Sequence, residues 1–477
     1  MNHTRDLRGF IEFLEEHHPH EVIRIRKEVD PKFGVSGILA RLEKDDRFPL
    51  VIFEKVKGSD IPLVANTHAS ISRLCLALGL EDADVGEFLK EYARREANPL
   101  EPQHVETGPV KQVILKGDDV DVTRLPICTY HEKDAGPYVT ASLDVMKDPE
   151  TGINNVGIYR LMLKDKNTFG IQISETSHGH LIWKQYEKRG EPTPMAAVIG
   201  HHPAFFLGTL SYTPLDIDEF CIAGGMMRRP VRLTPCETIP LQVPADAEIV
   251  LECEILPHLR EPEAPFGEYP GTYGPERMNP IVKVKAITMR RDAIYKIVQS
   301  AYNTEAAIFH RVPMAVTLWN RLKQNEGGIT IHNINVIPTN FTVIIQMTPG
   351  FEGQAKNTLM SALSGGYLHH KIAIAVDEDV DPFDLNDVLF AISTRVNPVR
   401  DVTIISGVRN HVMDPSITMV DPERDYMSKV QSVGSKMIID ATKPSLSHPA
   451  RERFDRVVFN FPHCGQQRVH LNRALVA

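Results

Sequence analysis

The sequence lacks the features of membrane, secreted and nucleic-acid-binding proteins. None of its apolar runs approaches the roughly 18 residues that a transmembrane helix requires, and the N-terminal stretch "MNHTRDLRGF" contains no apolar signal core. The formal net charge of −9 comes without a lysine and arginine stripe of the kind that binds nucleic acid. We therefore expect a cytoplasmic protein with no nucleic acid or membrane partner, which binds a small molecule.

The six cysteines form no C-x-x-C pair, which argues against zinc ribbons and against a disulfide framework. The sequence also lacks the glycine-rich dinucleotide motif, the Walker A loop, H-E-x-x-H and G-x-S-x-G. These absences argue against nucleotide hydrolysis, hydride transfer on a Rossmann domain and serine hydrolysis.

With 477 residues, the chain is long enough for two or three packed units. We predict an N-terminal α/β domain at residues 1–105, a central domain of short strands at 106–300 and a C-terminal α/β domain at 301–477. The helix in "TRDLRGFIEFLEE" is predicted to start behind a Thr4 cap, and "NNVGIYRLML" and "AAVIGHHPAFFL" are predicted strands. The polar tail after "SKMIIDATKP" is expected to pack on a partner subunit.

Two glutamates lie close together in "EPEAPFGEYPGTYG", residues 261–274. Glu263 and Glu268 stand on either side of a Pro-Phe-Gly corner, and the segment contains no basic residue. Like charges at short range raise the pKa of one carboxyl, which then carries a proton near neutral pH. The motif predicts an acid with a charged neighbour, and a solvated turn is the alternative.

Three further stretches supply side chains that suit a metal. Asn155 and Arg160 lie five residues apart in "INNVGIYRLML", so only a bend or bulge brings both into one pocket. His178 lies in "SETSHGHLIW", and Glu219 opens the apolar helix in "DIDEFCIAGG". Each alone is typical of an ordinary structural position. Together Asn155, His178 and Glu219 offer the oxygen and nitrogen ligands that suit Mn²⁺ or Mg²⁺, particularly with a phosphate.

The acidic run "DEDVDPFD" superficially resembles a calcium loop, but Pro382 stands where such a loop needs glycine. The run is more typical of a strand end that leads into a helix. We predict Asp384 near the cap of that helix, with the preceding acids, Asp377 among them, facing its positive end.

Five segments, "NNVGIYR", "DEFCIAGG", "EPEAPFGEYPG", "VDEDVDP" and "SKMIIDAT", occur in an order that closely resembles the UbiD family of decarboxylases. The resemblance runs over nearly the whole chain. It implies a mixed α/β and β architecture: an N-terminal α/β domain, a central split β-barrel of flavin-reductase type and a C-terminal α/β dimerisation domain. It also implies a homodimer or a higher homo-oligomer.

The resemblance implies a reversible, non-oxidative decarboxylation of an aromatic, heteroaromatic or α,β-unsaturated carboxylic acid. In the family this reaction passes through a covalent adduct with prenylated FMN, which a separate flavin prenyltransferase supplies. Removal of CO₂ leaves negative charge on an sp² carbon. Amino-acid side chains cannot delocalise this charge, so a cofactor must act as the electron sink. The small-molecule partners are thus the acid substrate and CO₂.

The resemblance also assigns site residues. The catalytic network is Arg160, Glu263 and Glu268, with Glu268 as the proton donor. The metal ligands are Asn155, His178 and Glu219, which hold Mn²⁺ (or Mg²⁺) and the cofactor phosphate, usually with a nearby K⁺; His180 is the alternative to His178. The cofactor contacts are Asn155, Val156, Gly157, Ile158, Tyr159, Arg160, Ser177, His178, Glu219 and Lys356.

The substrate pocket is less defined by sequence. Ser177 and Tyr269, which flank His178 and Glu268, are expected to line it, with simple packing as the alternative. His310 and Arg311 are expected either to meet a second polar substituent or to start a surface helix.

Two other functions remain open. A metal-dependent hydrolase or lyase would use the three ligands around a water without flavin. A non-catalytic, cofactor-binding relative would need no proton donor, and the presence of Arg160, Glu263 and Glu268 together speaks against it.

Overall fold

The computed structural model describes residues 4–81, 83–300, 304–325, 329–365, 368–416 and 433–444, together with Arg451. The tail that was predicted to pack on a partner subunit lies outside the described residues, apart from Arg451. Within the described residues, no helix is long and apolar enough to cross a membrane.

The described chain has helices and strands in its N-terminal and C-terminal parts and mostly strands between Gln103 and Lys296. The helices are α1 (Leu7–His17), α2 (Gly34–Lys44), α3 (Ile71–Ala77), α4 (Val85–Glu96), α5 (His178–Arg189), α6 (Pro203–Thr209), α7 (Glu219–Met227), α8 (Thr304–Asn325), α9 (Gln354–Leu363), α10 (Leu385–Arg395) and α11 (Pro398–Asp401), with 3₁₀ turns at Pro19–Glu21, Pro109–Lys111, Gly117–Asp119 and Val122–Arg124.

The strands are β1 (Val22–Ile25), β2 (Leu50–Phe53), β3 (Leu63–Ala65), β4 (Gln103–His104), β5 (Val113–Lys116), β6 (Tyr138–Val139), β7 (Ser142–Lys147), β8 (Asn154–Gly157), β9 (Leu161–Asp165), β10 (Thr168–Ile171), β11 (Thr193–Ile199), β12 (Arg232–Pro235), β13 (Gln242–Pro244), β14 (Ile249–Glu263), β15 (Phe266–Gly267), β16 (Tyr273–Gly274), β17 (Arg277–Met289), β18 (Tyr295–Lys296), β19 (Thr330–Val336), β20 (Thr342–Thr348), β21 (Ile372–Val376), β22 (Val402–Arg409) and β23 (Val433–Ala441).

The N-terminal sheet has the order β1-β2-β3-β18, so its last strand comes from a much later part of the chain. Helix α1 buries Leu7, Phe10 and Leu14 against it, at the spacing of one helical face. The predicted Thr4 cap is wrong: the carboxylate of Asp6 accepts a hydrogen bond from the Gly9 amide at 2.9 Å, because Asp6 is the residue in extended conformation before the first turn.

A sheet of nine strands forms the centre of the molecule, with the order β6-β9-β10-β17-β14-β11-β7-β8 and β5 beside β17. Its long antiparallel pair, β14 and β17, places Glu263 opposite Arg277. The stretch "NNVGIYRLML", predicted as one strand, forms two strands, β8 and β9, separated at residues 158–160, which is the kind of break that a pocket shared by Asn155 and Arg160 requires. The strand predicted in "AAVIGHHPAFFL" is wrong in its second half, because Pro203 starts α6 and the His202 ring caps that helix.

Helices α6 and α7 pack closely where Gly208 faces Ala223, and α7 carries Glu219 at its first position. A Cβ atom on Gly208 would collide with the Cα atom of Ala223. We expect Gly208→Ala to lower the free energy of unfolding by about 1–3 kcal/mol. The matched control is Gly37→Ala at an exposed position of α2, where a Cβ meets no atom within 4 Å and the gain in helix propensity is worth ~0.5–1 kcal/mol. Chemical denaturation measures both variants, and equal shifts would contradict the packing argument.

The C-terminal sheet has the order β19-β20-β21-β23-β22. Helices α8 and α9 cover one side of it, where α3 and α4 also bury Leu74, Phe88 and Tyr92 in the same core. The N-terminal segment therefore packs on the C-terminal sheet. The domain boundaries at residues 105 and 300 stay predictions.

The acidic run lies between β21 and α10. Asp384 caps α10 and accepts a hydrogen bond from the Asn386 amide, as predicted. Asp377 and Asp379 do not face the start of the helix; they form ion pairs with Arg395 at its end, at 3.3 and 2.8 Å. The expected interaction with the positive end of the helix is wrong for these two acids, because a guanidinium is available to them instead.

Candidate functional site

A cavity of about 430 Å³ lies between the central sheet and the C-terminal part of the chain. Its volume falls in the range of about 300–1,000 Å³ that is usual for small-molecule sites. The break between β8 and β9, the start of α5 and the start of α7 form one side, and residues of α8 and of the loops around β21 and β22 form the other. The cavity thus gathers side chains from distant segments.

Asn155 and Glu219 meet at the central side of this cavity. Glu219 is buried, its Oε1 accepts a hydrogen bond from Asn155 Nδ2 at 3.0 Å, and its Oε2 accepts one from the Val156 amide at 3.1 Å. Burial raises the pKa of the Glu219 carboxyl to about 8. Asn155 Oδ1 is buried and has no hydrogen-bond partner. A buried acid beside an unsatisfied oxygen is a site that a cation would stabilise.

His178 opens α5 behind the Ser177 cap and lines the same cavity, with its ring 6.1 Å from that of Tyr212. His180 does not line the cavity; its ring packs edge-on against Trp183, and burial lowers its pKa to about 4. The placement favours His178 over His180 as the side chain that accompanies Asn155 and Glu219.

Among the residues that the structure describes, no group of three or more histidine, cysteine, aspartate or glutamate side chains is placed to hold a metal. The predicted set contains only two side chains of those types, His178 and Glu219, and its third member is the amide of Asn155. The metal site stays a prediction.

The backbone between β8 and β9 is held by a buried acid. The Tyr159 amide donates to Asp144 Oδ2 at 2.9 Å, and burial raises the pKa of Asp144 to about 8. The Tyr159 ring lies against Gly157 and Gly179, where a side chain on either glycine would collide with its hydroxyl. This packing turns the chain at residues 158–160, so that Arg160 enters the cavity on the side of the glutamate motif.

Arg160 joins the two glutamates. Its Nε and Nη2 atoms donate to both oxygens of Glu263, each at 2.8 Å, and its Nη1 atom forms an ion pair with Glu268. The guanidinium also lies 5.2 Å from the centre of the Phe266 ring. Glu263 is completely buried and Glu268 is 8% exposed, at the cavity wall. The structure therefore brings the three predicted catalytic residues together.

Two residues that sequence reasoning missed hold this motif in place. Asn279 Nδ2 donates to Glu263 Oε2 at 2.8 Å, and Asp134 Oδ1 accepts from the Gly267 amide at 2.9 Å. The amide of Glu268 donates to the Thr272 carbonyl at 2.9 Å, which closes the turn behind the acid. Neither Asn279 nor Asp134 belongs to a recognisable motif, because their partners are more than a dozen residues away.

Two residues that were predicted to contact the cofactor or the substrate lie outside the cavity. Lys356, on α9, does not line the cavity, and its amine donates to the carbonyl of Arg400, so this arrangement does not support the predicted cofactor contact. Arg311 turns away from the cavity and its Nη2 donates to Asn335 Oδ1 at 3.4 Å. By contrast His310, Ser177 and Tyr269 line the cavity.

Models of three successive domains of 3-octaprenyl-4-hydroxybenzoate carboxy-lyase match the chain. The UbiD N-terminal domain matches residues 11–93, the Rift-related domain residues 103–302 and the C-terminal domain residues 307–441. The chain belongs to the UbiD family. A model of rRNA (uridine-N3-)-methyltransferase BTM5-like proteins also matches residues 423–477, which is too small a part of the chain to show a family.

Curated and solved relatives match this UbiD-family chain over most of its length. A phenolic acid decarboxylase of Sedimentibacter hydroxybenzoicus is 31% identical and covers 93% of each chain. The UbiD-class enzyme HmfF of Pelotomaculum thermopropionicum, solved with FMN, has 33% identity and a TM-score of 0.84 over 95% of this chain and 97% of its own. An evolved dimeric form of HmfF with prFMN has 32% identity and a TM-score of 0.81 over 95% and 99%. The mixed α/β fold is thus that of UbiD-class enzymes.

Proposed function

We propose that this chain is a carboxy-lyase that uses prenylated FMN to remove CO₂ reversibly from an aromatic, heteroaromatic or α,β-unsaturated carboxylic acid. The observation that carries the proposal is Arg160, which holds both Glu263 and Glu268 at the wall of a cavity of about 430 Å³. The phenolic acid decarboxylase and the prFMN complex of HmfF among the relatives support it.

The residues around the cavity fit the implied cofactor and metal. Asn155 Oδ1 has no partner and Glu219 is a buried acid, so a divalent cation there would satisfy an oxygen and compensate a charge. Asn155, Glu219 and His178 would hold Mn²⁺ or Mg²⁺ with the cofactor phosphate, and a nearby K⁺ rests on the family resemblance alone. The proposed cofactor contacts are Asn155, Val156, Gly157, Ile158, Tyr159, Arg160, Ser177, His178 and Glu219, all of which line the cavity.

When bound, prenylated flavin supplies the electron sink for the charge that departing CO₂ leaves on carbon. The protein supplies the proton: Glu268 holds it at its carboxyl oxygen and delivers it to the carbon that carried the carboxylate. Arg160 fixes the position of that acid. Glu263 orients Arg160 through two hydrogen bonds and is itself held by Asn279, so the network is rigid before substrate arrives.

The proposed architecture has domains at residues 1–105, 106–300 and 301–477, a central split β-barrel of flavin-reductase type and a C-terminal dimerisation domain. A homodimer or larger assembly is supported by the dimeric form of HmfF and by Leu389, Val399 and Ile404, which are 58%, 94% and 60% exposed on the C-terminal part. A flavin prenyltransferase would supply the cofactor, and the site of action would be the cytoplasm.

The identity of the bound cofactor tests the proposal. Protein coexpressed with a flavin prenyltransferase is expected to show flavin absorbance and to release a molecule with the mass of prenylated FMN. Protein that contains a divalent metal but stays colourless would favour the metal-dependent hydrolase or lyase. That alternative is not favoured here, because it leaves Arg160, Glu263 and Glu268 without a role.

A further inference from the structure

Tyr269 lies where the central part of the chain meets the C-terminal part at the cavity, and it directly follows the proposed proton donor, Glu268. Tyr269 itself is only 7% exposed. In the described chain its ring is surrounded by four others, which we call the aromatic socket: His310, Phe341, His369 and His411, with ring centres at 4.8, 6.4, 5.8 and 6.3 Å. All four belong to the C-terminal part, so Tyr269 reaches from one part of the molecule into the other.

The aromatic socket is assembled from four separate segments of the C-terminal part. His310 lies on α8, Phe341 immediately precedes β20, and His369 and His411 lie in the loops before β21 and after β22. The rings of His369 and His411 stack at 3.8 Å with an angle of 18°. Close-packed side chains have low compressibility and transmit displacements. The position of the Tyr269 ring is therefore set by the C-terminal part.

A hydrogen bond fixes the Tyr269 hydroxyl within the socket, 3.3 Å from His411 Nδ1. Burial raises the pKa of Tyr269 well above its usual value and lowers that of His411 to about 3, so both groups are neutral at neutral pH. The Met413 amide also donates to His411 Nδ1, at 3.3 Å, so this nitrogen is an acceptor and the Tyr269 hydroxyl is a donor to it.

A tight turn joins Tyr269 to the proton donor. The Gly271 amide donates to the Glu268 carbonyl, and the Glu268 amide donates to the Thr272 carbonyl, both at 2.9 Å. Tyr269 is thus the first corner residue of a turn that begins at Glu268. The Glu268 side chain forms an ion pair with Arg160. Glu268 is therefore held from two sides, by Arg160 of the central part and, through Tyr269, by the C-terminal part.

We infer that Tyr269 is a positioning residue, which sets the place of the proton-donating carboxyl of Glu268 through the seat of its own ring in the aromatic socket. The inference rests on the proposed decarboxylase function, since it concerns the proton step of that reaction. In this step the proton leaves the Glu268 carboxyl, and the electron pair of the broken bond to CO₂ becomes the new carbon–hydrogen bond. A displacement of about 1 Å can cost ~10²-fold in rate. Any shift of the C-terminal part reaches Glu268 through a single peptide bond.

Two rates on protein loaded with prenylated FMN separate proton delivery from carbon–carbon cleavage. Exchange of labelled CO₂ into the acid requires cleavage and re-formation of that bond but no proton from Glu268, whereas net CO₂ release requires both cleavage and the proton. Tyr269→Ala, which empties the socket, is expected to lower net release ~10²-fold and to raise the ratio of exchange to net release about tenfold or more. Glu268→Gln should raise the same ratio. The flavin content of both variants should stay unchanged.

The matched control is Tyr273→Phe, four residues later in the same motif. The Tyr273 hydroxyl accepts a hydrogen bond from the Lys133 amide at 3.2 Å, and the residue is 41% exposed and lies outside the cavity. This variant also loses one tyrosine hydroxyl, but it changes no contact with the C-terminal part. Net release, the exchange ratio and flavin content should all equal those of the unsubstituted protein.

Smaller changes test the hydrogen bond alone. Tyr269→Phe and His411→Phe are each expected to lower kcat about threefold to tenfold, with KM within about twofold of the unsubstituted value. Because both remove the same bond, the double variant should lose no more than either single variant. His411→Asn keeps an acceptor near the place of Nδ1 and should restore most of the rate.

The outcomes distinguish this inference from the proposed function. An exchange ratio that is unchanged in Tyr269→Ala, Tyr269→Phe and His411→Phe would overturn the inference, and CO₂ release by the unsubstituted protein would leave the decarboxylase standing. Independent, additive losses in Tyr269→Phe and His411→Phe would equally overturn positioning through the socket. If the unsubstituted, loaded protein released CO₂ from no acid, the decarboxylase and the inference would both fall.

Discussion

Glu268→Gln is expected to reduce CO₂ release by about 10²- to 10⁴-fold while the content of bound prenylated FMN stays unchanged. Glutamine keeps the size of the side chain and can still hydrogen-bond, but it has no acidic proton to deliver. The Glu268 side chain contacts Arg160 and the cavity and makes no contact with Asn155 or Glu219 among the described hydrogen bonds and ion pairs. Cofactor binding and proton delivery are therefore separable in this variant.

The matched control is Glu261→Gln, in the same motif. Glu261 has a side chain that is 49% exposed and lies 3.7 Å from Lys164, outside the cavity. Steady-state CO₂ release and the absorbance of the purified proteins measure both variants. Near-normal turnover by Glu268→Gln would remove the acid from the mechanism, and an equal loss in Glu261→Gln would point to a general disturbance of the motif.

Glu219→Ala is expected to empty the cofactor site, with bound divalent metal and bound flavin both falling by about tenfold or more. The substitution removes the one buried carboxylate beside Asn155 and the acceptor of the Val156 amide. Metal analysis and the ratio of flavin to protein absorbance report the loss directly, without an activity assay.

Asp216→Asn is the control for this variant, because Asp216 is exposed and lies three residues before Glu219, in the loop that precedes α7. It should retain metal and flavin. If Glu219→Ala purified with a full complement of prenylated FMN, Glu219 would not be a ligand, and the placement of the phosphate site at the start of α7 would have to be given up.

The glutamate motif and the arginine were predictable because a short local sequence carries them. A Pro-Phe-Gly corner between Glu263 and Glu268 fixes their separation in the chain. Strand periodicity showed only that Arg160 needs a bend to share a pocket with Asn155, and its place in the network came from the family resemblance. The pairing of Asn155 with Glu219 was predictable in kind, since a mixed set of oxygen and nitrogen side chains suggests a metal. Its geometry was not predictable, because it depends on the packing of α7 on the central sheet.

Two predictions that the structure does not support depend on tertiary contacts. The family resemblance placed Lys356 among the cofactor contacts, and Arg311 was considered together with His310 for the substrate pocket, but their side chains contact Arg400 and Asn335. The contact between His369 and His411 could not be predicted, because these residues come from loops that are brought together only by the order of the C-terminal sheet. No pattern in the sequence brings two histidines 42 positions apart to a stacking distance of 3.8 Å.

The most direct test of the decarboxylase is CO₂ release by two preparations of the same chain, one coexpressed with a flavin prenyltransferase and one made without it. The panel of acids contains benzoic acid, its three monohydroxy isomers, 3,4-dihydroxybenzoic acid and terephthalic acid. We predict release from at least one aromatic acid by the prenylated preparation and none above background by the other. Equal release by both, with no prenylated flavin in either, would contradict the account.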